Sequence, residues 1–265
     1  MLAKVEIGPL SLQTFGIFFA LNFVAWGLVA HRSYKENGWN GEWAYETVFV
    51  GLLGGLVGAR LWFVIQNYDE VKHDLLGNLF SGSGLVWYGG LLGGIAAVAV
   101  WARWRGILSL RLWDIGAYCL PLGYAIGRIG CQVSGDGDYG IASSLPWAMP
   151  YPHGTVPTQV AVHPTPIYET LVMGLAAWWL WRMRHAYRPG VLFGLYLLIA
   201  GAERFMVEFI RRNHEVVGPF TAAQVSALVA VALGVVWLWV LARRGPLRRE
   251  QPAAPVAARR RPATA

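Results

Sequence analysis

Seven apolar runs separated by short polar connections organise the chain, at roughly 11–30, 47–66, 85–103, 111–128, 166–182, 190–211 and 220–242. Each approaches the length of about 20 mainly apolar residues that carries a helix across a bilayer. Hydrocarbon offers no water to backbone N–H and C=O groups, so such runs become helices. The pattern predicts an all-α integral membrane protein: a seven-transmembrane-helix bundle over residues 1–244. Between the fourth and fifth runs, residues 129–165 are rich in Gly and Pro and include Pro146-Trp-Ala-Met-Pro-Tyr-Pro152. That stretch cannot cross as a helix and predicts a small periplasmic head segment. Residues 245–265 are mainly Pro, Ala and Arg, with nothing to bury, and predict a disordered basic tail drawn to anionic lipid.

Glycines crowd the second and third runs (Gly51, Gly54, Gly55, Gly58; Gly89, Gly90, Gly93, Gly94), where small residues let helix backbones approach closely. Composition sharpens the membrane reading. Of 265 residues, 55% are hydrophobic and 14% charged, where a soluble domain carries about a quarter charged residues. The net charge of +7 does not mark a nucleic-acid binder, because the basic residues fall in short clusters between apolar runs. Connections after the first, third, fifth and seventh runs hold Arg32 and Lys35; Arg103, Arg105 and Arg111; Arg182, Arg184 and Arg188; and seven arginines from Arg243 onward, together 15 of the 22 Lys and Arg. Cationic loops stay cytoplasmic, which predicts a periplasmic N-terminus, a cytoplasmic C-terminus and an inner-membrane location. Met1–Leu10 does not read as a cleavable signal peptide. Trp43, Trp87, Trp101, Trp104 and Trp181 stand at segment ends and predict an interfacial belt. Cys119 and Cys131, if joined by helix, lie about 18 Å apart, beyond disulfide reach.

Polar residues at membrane depth mark a candidate site. With this orientation Arg60, Tyr88, Arg128, and the series Arg204, Glu208 and Arg211 all fall in the outer layer. The last three are spaced i, i+4, i+7 and share one helical face, where Glu208 can neutralise an arginine. Arg60 and Arg128 have no carboxylate within a turn on their own helices, and a buried guanidinium needs an anion. Phosphate fits, because the guanidinium fork binds its oxygens bidentately. Asp114 is expected to pair with Arg111, Glu169 to serve a helix N-terminus structurally, and His163 to be structural. Neither metal-ligand spacing, nucleotide-type phosphate loop nor Gly-x-Ser-x-Gly elbow is present. Gly135-Asp136-Gly137-Asp138 resembles part of a calcium loop without its later glutamate. No metal and no cofactor are expected.

With these residues in view, the chain resembles the prolipoprotein diacylglyceryl transferases of bacterial inner membranes. Their signature is Gly-Arg-x-Gly-Asn-Phe-x-Asn-x-Glu-x-x-Gly. Gly127-Arg128-Ile129-Gly130 matches it. Cys131 and Gln132 then replace Asn-Phe, Ser134 replaces Asn, Asp136 replaces Glu, and Gly140 comes one residue late. Gly58-Ala59-Arg60, His163-Pro164-Thr165-Pro166-Ile167-Tyr168-Glu169 and Arg204-x-x-x-Glu208-x-x-Arg211 also agree, in order. Two positions depart: Tyr88 stands where the family commonly has a histidine before Gly-Gly, and Phe15-Gly16 where it has Tyr-Gly. A phenol is a poor base at neutral pH.

The resemblance implies transfer of a diacylglyceryl group from phosphatidylglycerol to the lipobox cysteine thiol of a prolipoprotein signal peptide, releasing glycerol phosphate, among membrane lipids. It implies Arg128 and Arg204 as catalytic cations on the phosphate, with Tyr88, solvent or the departing phosphate taking the thiol proton. Arg60, Glu208, Arg211, Gly89, Gly90, Ser134 and Asp136 form the implied phospholipid-binding set. Two other readings stay open. An anion or lipid transporter would show internal repeats and a cation-lined path across the bilayer. A related phospholipid-dependent transferase with another acceptor fits the Tyr88 and Cys131 departures. A non-catalytic scaffold leaves the outer arginines without purpose.

Overall fold

The computed structural model describes residues 2–8, 10–72, 86–213 and 215–249. Seven long helices dominate: α1 (Thr14–Glu36), α2 (Trp43–Gln66), α4 (Trp87–Trp104), α5 (Leu110–Ser134), α6 (Thr165–Met183), α7 (Val191–Glu208) and α8 (Ala222–Arg243). A single turn, α3 (Tyr68–Val71), follows α2. Every apolar run is helical over most of its length. Among the described residues three helices, α1, α2 and α8, are long and apolar enough to cross a membrane on length and composition alone. The outward faces match a lipid solvent: Leu53, Leu56 and Val57 on α2, Leu171, Leu175 and Trp178 on α6, and Leu228, Val229 and Leu233 on α8 are all exposed. Polar pairs sit inside instead, such as Tyr34 with Thr47 at 2.7 Å and Tyr118 with Ser33 at 2.9 Å. This is an all-α membrane architecture.

Helix pairing follows the small residues. On α2 and α4 the backbones approach so closely that a Cβ on Gly93 would lie 2.4 Å from the Gly54 carbonyl oxygen and 2.7 Å from the Gly58 Cα. The glycine rows are therefore the contact itself, as the sequence pattern implied. A second pair, α7 with α8, packs through Gly194, Gly201 and Gly234. Helix α5 lies between α1 and α6 and also touches α7. It runs past Arg128 to Ser134 and stops at Gly135, whose φ of 60° is the left-handed conformation that glycine adopts at a helix end.

The structure departs from the sequence reading in several places. Among the described residues three two-stranded antiparallel hairpins supplement the helices: β1 (Lys4–Ile7) with β2 (Leu10–Gln13), β3 (Met149–Tyr151) with β4 (Thr158–Val162), and β5 (Glu215–Val217) with β6 (Phe220–Thr221). Their strands are too short to register as a pattern. Helix α7 ends at Glu208, so Arg211 lies in the turn beyond it, and the i, i+4, i+7 face does not extend that far. Asp114 does not serve Arg111. Its carboxylate accepts from the backbone N–H groups of Gly190 at 2.7 Å and Phe193 at 3.0 Å, capping the donors at the start of α7. Trp101 is buried and donates to Glu46 at 3.2 Å, whereas Trp87 and Trp104 are exposed. Of the tail expected to be disordered, residues up to Arg249 run beside the α6–α7 connection, with Arg188 N–H to Leu247 O at 2.9 Å and Arg249 N–H to Ala186 O at 3.0 Å. The rest lies outside the described residues.

Candidate active site: an arginine–carboxylate cluster at one end of the bundle

The C-terminal ends of α5 and α7 meet the N-terminal ends of α6, α8 and α4 at one end of the bundle. Hydrogen bonds fix this meeting. Thr170 Oγ1 donates to Ala125 O at 3.3 Å, joining α6 to α5. Thr221 caps α8 in a capping box with Gln224, and the same hydroxyl donates to Glu208 Oε1 at 2.7 Å. Asn213 Nδ2 donates to that oxygen as well, at 2.7 Å. The loop after α5 is held from two sides. Thr165 Oγ1 donates to the Asp138 carbonyl at 2.6 Å, and Ile141 N–H to Ile210 O at 2.9 Å.

Within this frame three guanidinium groups converge. Glu169, at the first turns of α6, has a fully buried side chain, 0% exposed. Its carboxylate receives Arg128 Nε at 3.0 Å, Arg204 Nη1 at 3.4 Å, Arg211 Nη1 at 3.5 Å and the Tyr124 hydroxyl at 2.9 Å. Glu208 pairs with Arg204 Nη2 at 2.8 Å and Arg211 Nε at 3.9 Å. Asp138 bridges two cations, Arg128 through Nη1 and Arg211 through Nη2 at 2.6 Å. Tyr124 lies under Arg128, with the guanidinium carbon 4.9 Å from the ring centroid. Three cations thus face three carboxylates drawn from α5, α6, α7 and the turns that follow α5 and α7. Burial pushes the Asp138 carboxyl upward, and the Arg128 and Arg211 charges more than offset it, leaving its pKa below the ordinary carboxylate value. Asp138, with a side chain 34% exposed, is the most accessible of the three carboxylates.

Arg128, which has no carboxylate within a turn on its own helix, therefore already has protein anions and does not need phosphate to neutralise it. Its partners come from other segments, so spacing along one helix could not reveal them. The other expected residues fall at varying distances from the cluster. Arg60, 4% exposed on α2, has its guanidinium 5.0 Å over the Phe63 ring. Tyr88 donates to the Ala222 carbonyl at 3.2 Å, tying α4 to α8 one residue from Thr221. Gly89 and Gly90 face Gly58 and Gly55 of α2. Ser134 is buried, and its carbonyl accepts from Thr155 N–H at 2.9 Å. Asp136 accepts from Asp138 N–H at 3.2 Å in a local turn. His163 lies near Tyr168 at 3.4 Å. Cys131, Asp136 and Asp138 bring potential metal-ligand atoms within 4.8 Å of one another. The two guanidiniums already on Asp138 oppose a cation there.

A model of the prolipoprotein diacylglyceryl transferase family matches residues 3–240, most of the chain. The chain belongs to that family. Named relatives agree. The phosphatidylglycerol–prolipoprotein diacylglyceryl transferase of Methylibium petroleiphilum is 33% identical over 256 residues, spanning 89% of this chain and 94% of the relative. That of Janthinobacterium sp. is 32% identical over 257 residues, 91% and 96% of the two chains. The protein of the same name from Clostridium tetani is 28% identical over 235 residues, 87% and 93%.

As a member of the prolipoprotein diacylglyceryl transferase family, the chain carries cluster residues that sequence reasoning missed. Tyr124 lies one turn before Arg128, a spacing that places an aromatic ring beside a cation. Asp138 was visible only as part of a cation-like loop. Glu203 is half-buried on α7, next in the chain to Arg204. A carboxylate inside an apolar helix is itself a signal, and it went unread beside the more conspicuous Arg204.

Proposed function

We propose that this chain is a phosphatidylglycerol–prolipoprotein diacylglyceryl transferase of the bacterial inner membrane, carrying out the first step of lipoprotein maturation. Its outer end holds the arginine cluster, the N-terminus faces the periplasm and seven helices cross the bilayer. Residues 129–165 form the periplasmic head. The observation that carries this reading is the convergence of Arg128, Arg204 and Arg211 on Glu169 and Asp138 at one end of the bundle. A self-neutral cluster of this kind stores cations for a phosphate in a setting where a lone arginine would be costly.

Asp138 supplies the exchange point, since its carboxylate occupies the Arg128 donors for which a lipid phosphate would compete. The lipid phosphate then sits on Arg128 and Arg204, with Glu169 and Glu208 fixing both guanidiniums from behind. The lipobox thiol sulfur attacks the glyceryl carbon that bears the phosphate ester. A C–S bond forms, the C–O bond breaks, and glycerol phosphate departs with its charge held by the arginines. The thiol proton balances the departing anion. Arg60, Gly89 and Gly90 shape the lipid side between α2 and α4, and Ser134 and Asp136 order the loop that carries Asp138. Tyr88 stands at the rim of the same end, where its hydroxyl can receive or relay the thiol proton.

The test uses the purified full chain with phosphatidylglycerol and a lipobox peptide, and a second peptide with Ser for Cys. Mass spectrometry is expected to find diacylglyceryl thioether on the first alone, with glycerol phosphate released. Modification of both peptides indicates a different acceptor chemistry. Phosphate or lipid uptake into proteoliposomes without thioether supports a transporter and contradicts the proposal.

A further inference from the structure

A small polar cavity of about 290 Å³ opens beside the cluster, lined by Gly137, Asp138, Tyr139, Arg211, Arg212 and Asn213. It shares Asp138 and Arg211 with the cluster. Its floor is rigid. Tyr139 is buried, stacks on Tyr151 at 4.6 Å and donates to Val156 O at 2.9 Å. Arg212, at the mouth, is exposed yet held in place, with its guanidinium 4.3 Å over the Tyr139 ring and Nη2 donating to Gly137 O at 3.2 Å. The cluster's own arginines do not need Arg212, and the transfer reaction as derived above gives it no part.

Size and lining select the occupant. Drug-sized ligands fill cavities of about 300–1,000 Å³ that are mostly apolar. This one is at the lower limit, polar, and offers two guanidiniums against one carboxylate. A diacylated lipid does not fit that description, and a small water-soluble phosphomonoester does. We propose that this cavity is a binding site for a soluble phosphomonoester, which on the reading above is the departing glycerol phosphate. Arg211 hands the anion from the cluster to Arg212 at the mouth. The lipid product leaves on the apolar side and the anionic product on the polar side, so the two do not share a route. The identity of the phosphomonoester rests on the transferase reading; the cavity's affinity for one does not.

Calorimetry of glycerol phosphate binding to the purified full chain, with inorganic phosphate in parallel, tests the site directly. Glycerol phosphate is expected to bind at millimolar or lower concentration. Arg212→Gln is expected to weaken it about tenfold or more, as one charge-assisted contact is lost, and Arg212→Lys to recover much of it. In turnover assays Arg212→Gln is expected to raise the inhibition constant of glycerol phosphate and leave the KM for phosphatidylglycerol unchanged. No binding by the parent chain, equal binding by Arg212→Gln, or a rise in lipid KM without loss of glycerol phosphate affinity each overturns the proposal. Binding that follows Arg212 in a chain that makes no thioether keeps the site and rejects the transferase reading instead.

Discussion

Replacing Glu169 by Gln isolates the contribution of one carboxylate to the whole cluster. Glu169 is fully buried and meets three guanidiniums and the Tyr124 hydroxyl within 3.5 Å. Glutamine keeps the shape and can still accept from Tyr124, but three cations then face only Asp138 and Glu208. Removing one partner of a buried ion pair costs about 3–5 kcal/mol, because the remaining charge is left uncompensated. The retained hydrogen bond places this variant near the lower end, about 3 kcal/mol. That loss corresponds to a fall in melting temperature of roughly 6–12 °C, measured by thermal unfolding of the detergent-solubilised protein. In turnover, the guanidiniums lose their common anchor, and a misplacement of about 1 Å costs about 10²-fold in kcat. The KM for phosphatidylglycerol is not expected to rise, since the site gains net positive charge. Unchanged Tm together with unchanged kcat refutes the reasoning, and a rise in KM alone assigns Glu169 to lipid binding only.

Other substitutions probe other parts. Tyr88→Phe is expected to lower kcat by less than the roughly 10²–10⁴-fold of an efficient general base, and Tyr88→His to restore it; unchanged activity in both removes Tyr88 from the chemistry. Gly93→Ala drives a Cβ into the Gly54 carbonyl and should destabilise the α2–α4 pair by about 1–3 kcal/mol, read as a lower Tm with the residual folded protein still active. The pH profile of stability follows Asp138. Its folded-state pKa lies below the ordinary value, so its ion pairs contribute fully above about pH 3.9 and are lost as pH falls through the folded value. Asp138→Asn should remove that acid limb, and a parent chain equally stable across it contradicts the ion-pair assignment.

Much of the bundle was legible because hydrophobicity repeats over whole helices and glycine rows announce close packing. The hairpins were not, since two to five residues per strand carry too little periodicity to separate from loops. Arg128, Arg204, Glu208 and Arg211 stood out as costly residues in apolar surroundings. Their partners were harder to read. Glu169 looked like an ordinary helix-start carboxylate, and Asp138 like part of a cation loop, because what defines them is contact across segments distant in sequence. Asp114 was assigned to its near neighbour Arg111 for the same reason, when its true partners are the backbone donors at the start of α7.

Arg128 is the residue on which the account depends, as it alone joins the signature motif, Glu169 and Asp138. The decisive measurement is diacylglyceryl transfer by Arg128→Ala beside the parent chain, with phosphatidylglycerol and a lipobox peptide in matched membranes. Loss of a cation that stabilises the leaving phosphate predicts a drop of about 10²–10³-fold in kcat, or about 2.7–4 kcal/mol. Full activity in a folded Arg128→Ala protein would contradict the central claim that this cluster holds the phosphate.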